Sequence, residues 1–410
     1  MKKEPAMTEK LYYDCACKEC EATVLACREA EGCFEVLLDR TVMYPEGGGQ
    51  LSDTGTIDGA RVSYVFEDGH DVWHRCNREL AAGAKVRVRF DEWTRRDHSQ
   101  QHTGEHILSG VAARLFGCRN VGFHMTEDYV SVDFDRPLTQ DEVLALERAA
   151  NEAVQQDEPT TYRIVDAADL DKMELRKRAE GLSGDVRIVY AGGVDSCTCC
   201  GTHCARAGEV GLVKITSFMS YKGGTRIFFL CGMRAVSAMM EDARIVDALA
   251  RRFSTKPEQA LQAVVKQGEE LAETKRFLKK RTEELFGYKA QEILRDAPKA
   301  GNVSVVVRLE EGLNMTELGL LSERLLAQGR AVVILLSTSG GQLLYRLARS
   351  EGIGLSMKEV CPAVNAMTGG KGGGRDDSAQ GSAEARSETN EIRGQLQLYL
   401  ENRLKSERKA

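Results

Sequence analysis

Two short motifs about a hundred residues apart constrain this chain more than any other feature. HTGEH sets His102 and His106 four positions apart, and CCGTH sets Cys199 and His203 at the same spacing. On a helix, positions i and i+4 share a face one turn apart, so His102 and His106 can aim two donors at one point, and Cys199 and His203 repeat the spacing. Imidazole and thiolate are the ligands of tetrahedral zinc. Either pair alone is a weak signal, because helical histidines often cap or pack. Both pairs in a chain with seven histidines, each flanked by glycine and threonine, predict one zinc ion per chain held by His102, His106, Cys199 and His203. Such a site forces the intervening chain to fold back on itself. His98 continues the first stripe but would lie about 12 Å along the helix from His106, too far to share the ion. Cys197, Cys200 and Cys204 surround the second pair, yet only Cys199 keeps the spacing.

The chain has 410 residues, more than one core normally accommodates, so two to four domains are expected. Short alternating runs (Glu21–Cys27, Cys33–Leu38, Arg61–Phe66, Lys85–Phe90) predict an N-terminal β-barrel-like domain over 1–92. From about Arg95 the pattern turns helical, with His102, His106, Ile107, Val111 and Leu115 on one stripe that ends near Gly117. Strands at Tyr129–Phe134, Val186–Tyr190, Leu212–Ile215 and Ile227–Leu230, and a helix opened by the capping box Thr139-x-x-Glu142, make 93–240 an α+β domain. A helical linker or coiled coil follows over 241–298. Its long helix, 257–293, repeats Val264, Leu271, Leu278 and Leu285 every seven residues, with companion positions that are mostly not apolar. That seam fits an intramolecular hairpin or a homodimer contact, and the C-terminal domain is a second candidate for such a contact. Beyond residue 299 the alternation of Val303–Leu309, helix Thr316–Gln328, Ala331–Leu336 and Leu343–Leu347 predicts an α/β domain closed by an amphipathic helix with Leu396, Leu398, Leu400 and Leu404. The fold class is therefore α+β overall.

Thirteen cysteines fit reduced thiols and metal ligands, because MKKEPAMTEK at the N-terminus has no apolar stretch of a signal peptide. No apolar run reaches the length of a membrane span, so a cytoplasmic location is expected. A net charge of −6 argues against indiscriminate coating of DNA and leaves open a local basic surface.

The two zinc segments, with YPEGGGQLSDTG (Tyr44–Gly55) before them, resemble the editing domain of alanyl-tRNA synthetases and the free-standing AlaX editing proteins. TGGKGGGRDDSAQGS (Thr368–Ser382) resembles the glycine-rich signature of the DHHA1 domain found in those synthetases and in the long form of AlaX. The resemblance spans nearly the whole chain in the same order. It implies a trans-editing hydrolase that deacylates tRNA(Ala) mischarged with serine, with glycine as a second expected substrate, by zinc-dependent, ATP-independent ester hydrolysis. It also implies a plain strand around Cys15, Cys17 and Cys20 rather than a second metal. A ligase is not expected, since the synthetase's aminoacylation region precedes the editing region, where this chain begins.

An alanine pocket rejects serine poorly because an added hydroxyl costs little binding, whereas a second site that hydrogen-bonds the hydroxyl discriminates strongly. The family position that reads this hydroxyl falls near Phe123–Thr126. Phe123 has no polar group, which leaves Thr126 or His124. Four protein ligands describe a closed, structural zinc site, so the rival reading is a non-catalytic zinc-stabilised tRNA-binding protein. Glu105 as a general base lacks the HExxH order of zinc proteases, where Thr103 stands instead; a solvent-facing or supporting role fits Glu105 better, with Thr103 and Gln101 as further supporting candidates. The GGGQ turn (Gly47–Gln50) reads equally as a tight hairpin or as part of the pocket. Gly369, Gly370, Lys371, Gly372, Gly373, Gly374 and Arg375 lack the phosphate-loop order and are expected to contact tRNA through backbone N–H groups and the two cations, a flexible linker being the alternative.

Overall fold

In the computed structural model, which describes residues 8–179, 181–385 and 388–406, the chain divides into two compact units, Met1–Leu249 and Ala250–Ala410. The first seven residues of the stretch read for a signal peptide lie outside the described residues.

Alternating valines build the start of the first unit. Strands β1 (Glu19–Ala30), β2 (Cys33–Leu38), β3 (Gly55–Ile57), β4 (Ala60–Asp68), β5 (Asp71–Cys76) and β6 (Lys85–Phe90) pair in the order β1-β2-β5-β4-β3-β6, and β6 returns to β1. Their inward residues, among them Val24, Val36, Leu38, Val62, Val65 and Val88, fill one core. His74 of β5 is fully buried there, bonded to Thr41 Oγ1 at 2.8 Å and to the Val36 carbonyl at 3.2 Å. Burial lowers its pKa to about 4.

Helix α1 (Glu92–Phe116) starts three residues earlier than the sequence pattern suggests, because Asp91 caps it by accepting from the Thr94 N–H. It ends at Gly117, in the left-handed conformation (φ 65°). Every residue from His98 to Ala112 is buried, so α1 runs through the unit rather than along its surface. Close approach on two sides requires small residues: a Cβ on Gly104 would meet Cys231 Sγ at 2.2 Å, and one on Gly110 would meet the Val194 carbonyl oxygen at 2.4 Å. The last turn leaves this core, and Leu115, expected on the buried stripe, is 47% exposed.

Around α1 stand β7 (Asn120–Met125), β8 (Val130–Phe134), α2 (Gln140–Gln156), β9 (Thr161–Asp166), β10 (Asp185–Ala191), β11 (Asp195–Thr198), β12 (Val213–Tyr221) and β13 (Gly224–Cys231). They form an antiparallel sheet β12-β13-β8-β7 and a three-stranded sheet β9-β10-β11, and α3 (Gly232–Arg252) follows. The capping box of α2 is present, with Thr139 and Glu142 bonded reciprocally.

In the second unit α4 (Ala260–Asp296) has the 37-residue length of the helix expected over 257–293 and lies three positions further along the chain. Phe286, Ala290 and Ile293 are its buried stripe, packed with Leu318, Leu321 and Leu325 of α5 (Met315–Gln328). Val264, Leu271, Leu278 and Leu285 are 40–64% exposed. The sheet comprises β14 (Val303–Glu311), β15 (Ala331–Ser339), β16 (Gln342–Arg349), β17 (Lys371–Gly374) and β18 (Ser378–Glu384), ordered β14-β15-β16-β18-β17 with the short strand Lys299–Ala300 beside β14. Within this sheet, among the described residues, β14 and β15 form the one parallel pair. Helices α6 (Met357–Thr368) and α7 (Thr389–Ser406) complete its core. On α7 the buried residues are Ile392, Leu396, Leu400 and Leu404, a strict four-residue step; Leu398, expected on that face, is 61% exposed because it points half a turn away. Among the described residues no helix is long and apolar enough to cross a membrane.

Candidate metal centre

Burying α1 fixes His102 and His106 one turn apart in the middle of the first unit, with ring centroids 5.1 Å apart. The loop after β11 carries Cys199 and His203 against them. One donor atom from each of the four residues lies within 4.8 Å of the others. Cys199 Sγ stands 3.4 Å from His102 Nε2 and 3.6 Å from His203 Nε2, and His203 Nε2 stands 3.2 Å from His106 Nε2. A tetrahedral zinc shell has edges of about 3.3 Å between nitrogens and about 3.6 Å between nitrogen and sulfur, from bonds near 2.05 and 2.3 Å. The donor set and its spacings fit such an ion.

The supporting bonds set which ring nitrogen faces the centre. Gln50 Oε1 accepts from His102 Nδ1 at 2.7 Å and from the Thr202 N–H at 3.0 Å, while Gln50 Nε2 donates to Thr202 Oγ1 at 2.8 Å. The GGGQ segment is thus both a turn, with Gly47 and Gln50 bridged, and a part of the site. Asp195 Oδ2 accepts from His106 Nδ1 at 2.7 Å, and Arg176 forks onto the same carboxylate. With Nδ1 protonated in both rings, each Nε2 lone pair turns inward, as a metal ligand requires.

Charge follows the same plan. Burial opposes ionisation of Asp195, but Arg176 and His106 outweigh it and hold the carboxyl well below its ordinary range. At Cys199 burial again opposes the charge, yet His102 and His203 draw the thiol well below its usual value. Burial lowers His203 to about 3, keeping that ring neutral. At His106 burial is outweighed by Cys197 and Asp195, which raise it. A thiolate among imidazoles is a place where a cation can replace a proton.

The other expected residues are placed elsewhere. Cys197 Sγ lies 3.5 Å from His106 Nδ1, on the Asp195 side of the ring, and burial pushes its thiol up. Burial pushes Cys204 to about 12; Cys200 is exposed. Glu105 is not solvent-facing: it is 4% exposed and bonded to Ser109 and Asn120 in a core network. Thr103 accepts from the Cys204 N–H at 2.9 Å, pinning the second segment to α1. Gln101 binds the backbone of Cys231 through both ends of its amide. His124 is exposed on β7, where alternate residues face opposite sides; its neighbour Phe123 is the one stacked on His102, at 5.3 Å. Thr126 Oγ1 is engaged in a turn, donating to the Tyr129 carbonyl and accepting from the Tyr129 N–H. In the second unit, Gly369 caps α6 and Lys371–Gly374 form the edge strand β17, so the glycine-rich segment is neither a phosphate loop nor a linker. Sequence reasoning missed Asp195 and Arg176 entirely.

Residues 186–228 match the family model of the threonyl and alanyl tRNA synthetase second additional domain, and residues 302–402 match the DHHA1 domain. The alanyl-tRNA editing protein AlaX-L of Pyrococcus horikoshii is 32% identical over 397 residues, covering 93% of this chain and 96% of that protein. The chain belongs to the AlaX family of alanyl-tRNA editing proteins. Within that family, Aarsd1 of Rattus norvegicus is 29% identical, over 90% of this chain and 89% of that one. Outside it, the alanine–tRNA ligase of Thermococcus kodakarensis is 30% identical over 91% of this chain but only 41% of the ligase. In this chain the second additional domain precedes the DHHA1 domain, in the order the motifs suggested.

Proposed function

We propose that the protein is a trans-editing deacylase that hydrolyses the ester of serine, and secondarily glycine, on mischarged tRNA(Ala), with one zinc ion held by His102, His106, Cys199 and His203. The observation that carries this reading is the inward-facing donor set, with spacings that match the edges of a tetrahedral shell. Membership of an alanyl-tRNA editing family supplies the substrate class. Bound zinc supplies Lewis acidity, towards the ester carbonyl or towards a water. The chain's own part is to orient the imidazoles through Gln50 and Asp195, and to keep the centre within a buried core.

Residues 93–240 carry the hydrolysis in this reading, 1–92 lend Gln50, and 241–298 link them to a tRNA-binding module over 299–410. Lys371 and Arg375, exposed and without an ion-pair partner among the described residues, serve that module, and the exposed seam of α4 is proposed to join two copies. The protein works in the cytoplasm.

A closed four-ligand shell favours a second reading, a zinc-stabilised tRNA-binding protein without catalysis. The two separate on incubation with Ser-tRNA(Ala) and Ala-tRNA(Ala). Editing gives rapid loss of serine, little loss of alanine, and no loss with His106→Ala, whose folding is checked by circular dichroism. Binding without ester loss supports the structural reading instead.

A further inference from the structure

A cleft of about 780 Å³ opens beside the metal centre, and His203 is part of its wall. The segment Tyr12–Lys18, the first turns of α1 and the start of β9 form the rest. Its chemistry is aromatic and cationic. Trp93 is 75% exposed and Tyr162 45% exposed, large rings that a folded chain normally covers. The Arg187 guanidinium lies 4.7 Å from the centroids of both Tyr13 and Tyr162.

The acids of this cleft are already engaged. Glu92 pairs with Lys18, Glu209 accepts from the Ala205 N–H, and Asp14 accepts from the Ala16 N–H. Arg95 is bound to the buried Asp53. Arg96 and Arg187 are left without acid partners among the described residues. Arg187 is 9% exposed, and among the described residues its Nε, Thr160 Oγ1 and His203 Nδ1, all buried atoms of cleft residues, have no hydrogen-bond partner. Buried polar atoms are nearly always satisfied, so three unpaired ones around a single cleft point to a ligand.

We propose that this cleft seats the unpaired 3′ end of the aminoacylated RNA, with Trp93 and Tyr162 as stacking surfaces for its bases and Arg96 and Arg187 as the cations for its phosphates. The proposal rests on the editing reading, because the wall shared through His203 is what brings a terminal ester to the metal centre. Unpaired bases stack on any exposed ring, and a backbone beside them needs positive charge; a duplex has no free base faces to offer.

The test uses the full, zinc-loaded chain and a short single-stranded RNA ending in CCA. The two tryptophans differ sharply, Trp73 being 9% exposed, so stacking on Trp93 is read as saturable quenching of tryptophan fluorescence. Trp93→Ala and Tyr162→Ala are each expected to weaken binding of a 5′-labelled oligonucleotide about tenfold. Each should raise KM for Ser-tRNA(Ala) by a similar factor while kcat and zinc content hold. Absent quenching, equal competition by a blunt RNA hairpin, or native KM in both variants overturns the proposal. Native hydrolysis with those failures leaves the editing reading standing; oligonucleotide binding without hydrolysis removes the editing reading and keeps the cleft as an RNA site.

Discussion

Asp195 carries two tasks at once, fixing the His106 tautomer and neutralising Arg176 in a buried place. Partners that orient metal-bound histidines typically govern about 10–100-fold in metal affinity. Asp195→Asn should therefore loosen zinc by about that factor in a chelator competition, and Gln50→Leu should do the same through His102. His74 is the residue with a legible pH signature. Its folded pKa, about 4, lies below the unfolded value near 6.5, so the unfolded chain binds the extra proton. Stability is fully present above pH 6.5 and falls as the pH drops towards 4, by about 3 kcal/mol from this residue. Urea unfolding of His74→Gln should show a correspondingly shallower decline between those pH values; an unchanged slope would assign the acid sensitivity to other groups.

Among the elements, the two turns that deliver ligands and their supports have no room for a side chain at their glycines. Gly49 has φ +86°, and a Cβ there would stand 2.6 Å from the Phe123 carbonyl oxygen, which is backbone and cannot yield easily. A Cβ on Gly201 would press the His102 ring at 2.1 Å. Gly49→Ala and Gly201→Ala should each lower zinc occupancy, measured by metal analysis, with the second also lowering thermal stability. Secondary structure near these turns was readable where one period dominates, as in the alternating β2 or the capped α2. It failed at β7, β9 and β11: β9 is exposed along nearly its whole length and so has no buried face to read, and β11, although its burial alternates, is too short at four residues to show a period. Leu115 and Leu398 failed for the related reason that periodicity places a residue on a face but not that face in a core.

For the whole molecule, the two compact units predict separable losses. Truncation after residue 249 should keep zinc bound and sharply weaken tRNA binding; unchanged tRNA affinity would remove the second unit from recognition. Replacing Lys371 and Arg375 with alanine should weaken binding to all tRNAs alike and reduce the salt slope by about one per cation. The exposed seam of α4 gives a further expectation, that Leu271→Glu with Leu278→Glu shifts sedimentation towards the monomer.

The two donor pairs and the helix that carries one of them were legible in the sequence because they depend on spacing along the backbone, and the order of the two modules was legible through the resemblance of their motifs to a known family. Asp195, Arg176 and the reach of Gln50 across 152 positions to Thr202 were not, since a hydrogen bond between remote segments leaves no local pattern. The same holds for the burial of Glu105, the outward turn of His124 and the edge-strand form of the glycine-rich segment. Those depend on which surfaces meet once the core has closed, and only the folded chain fixes that.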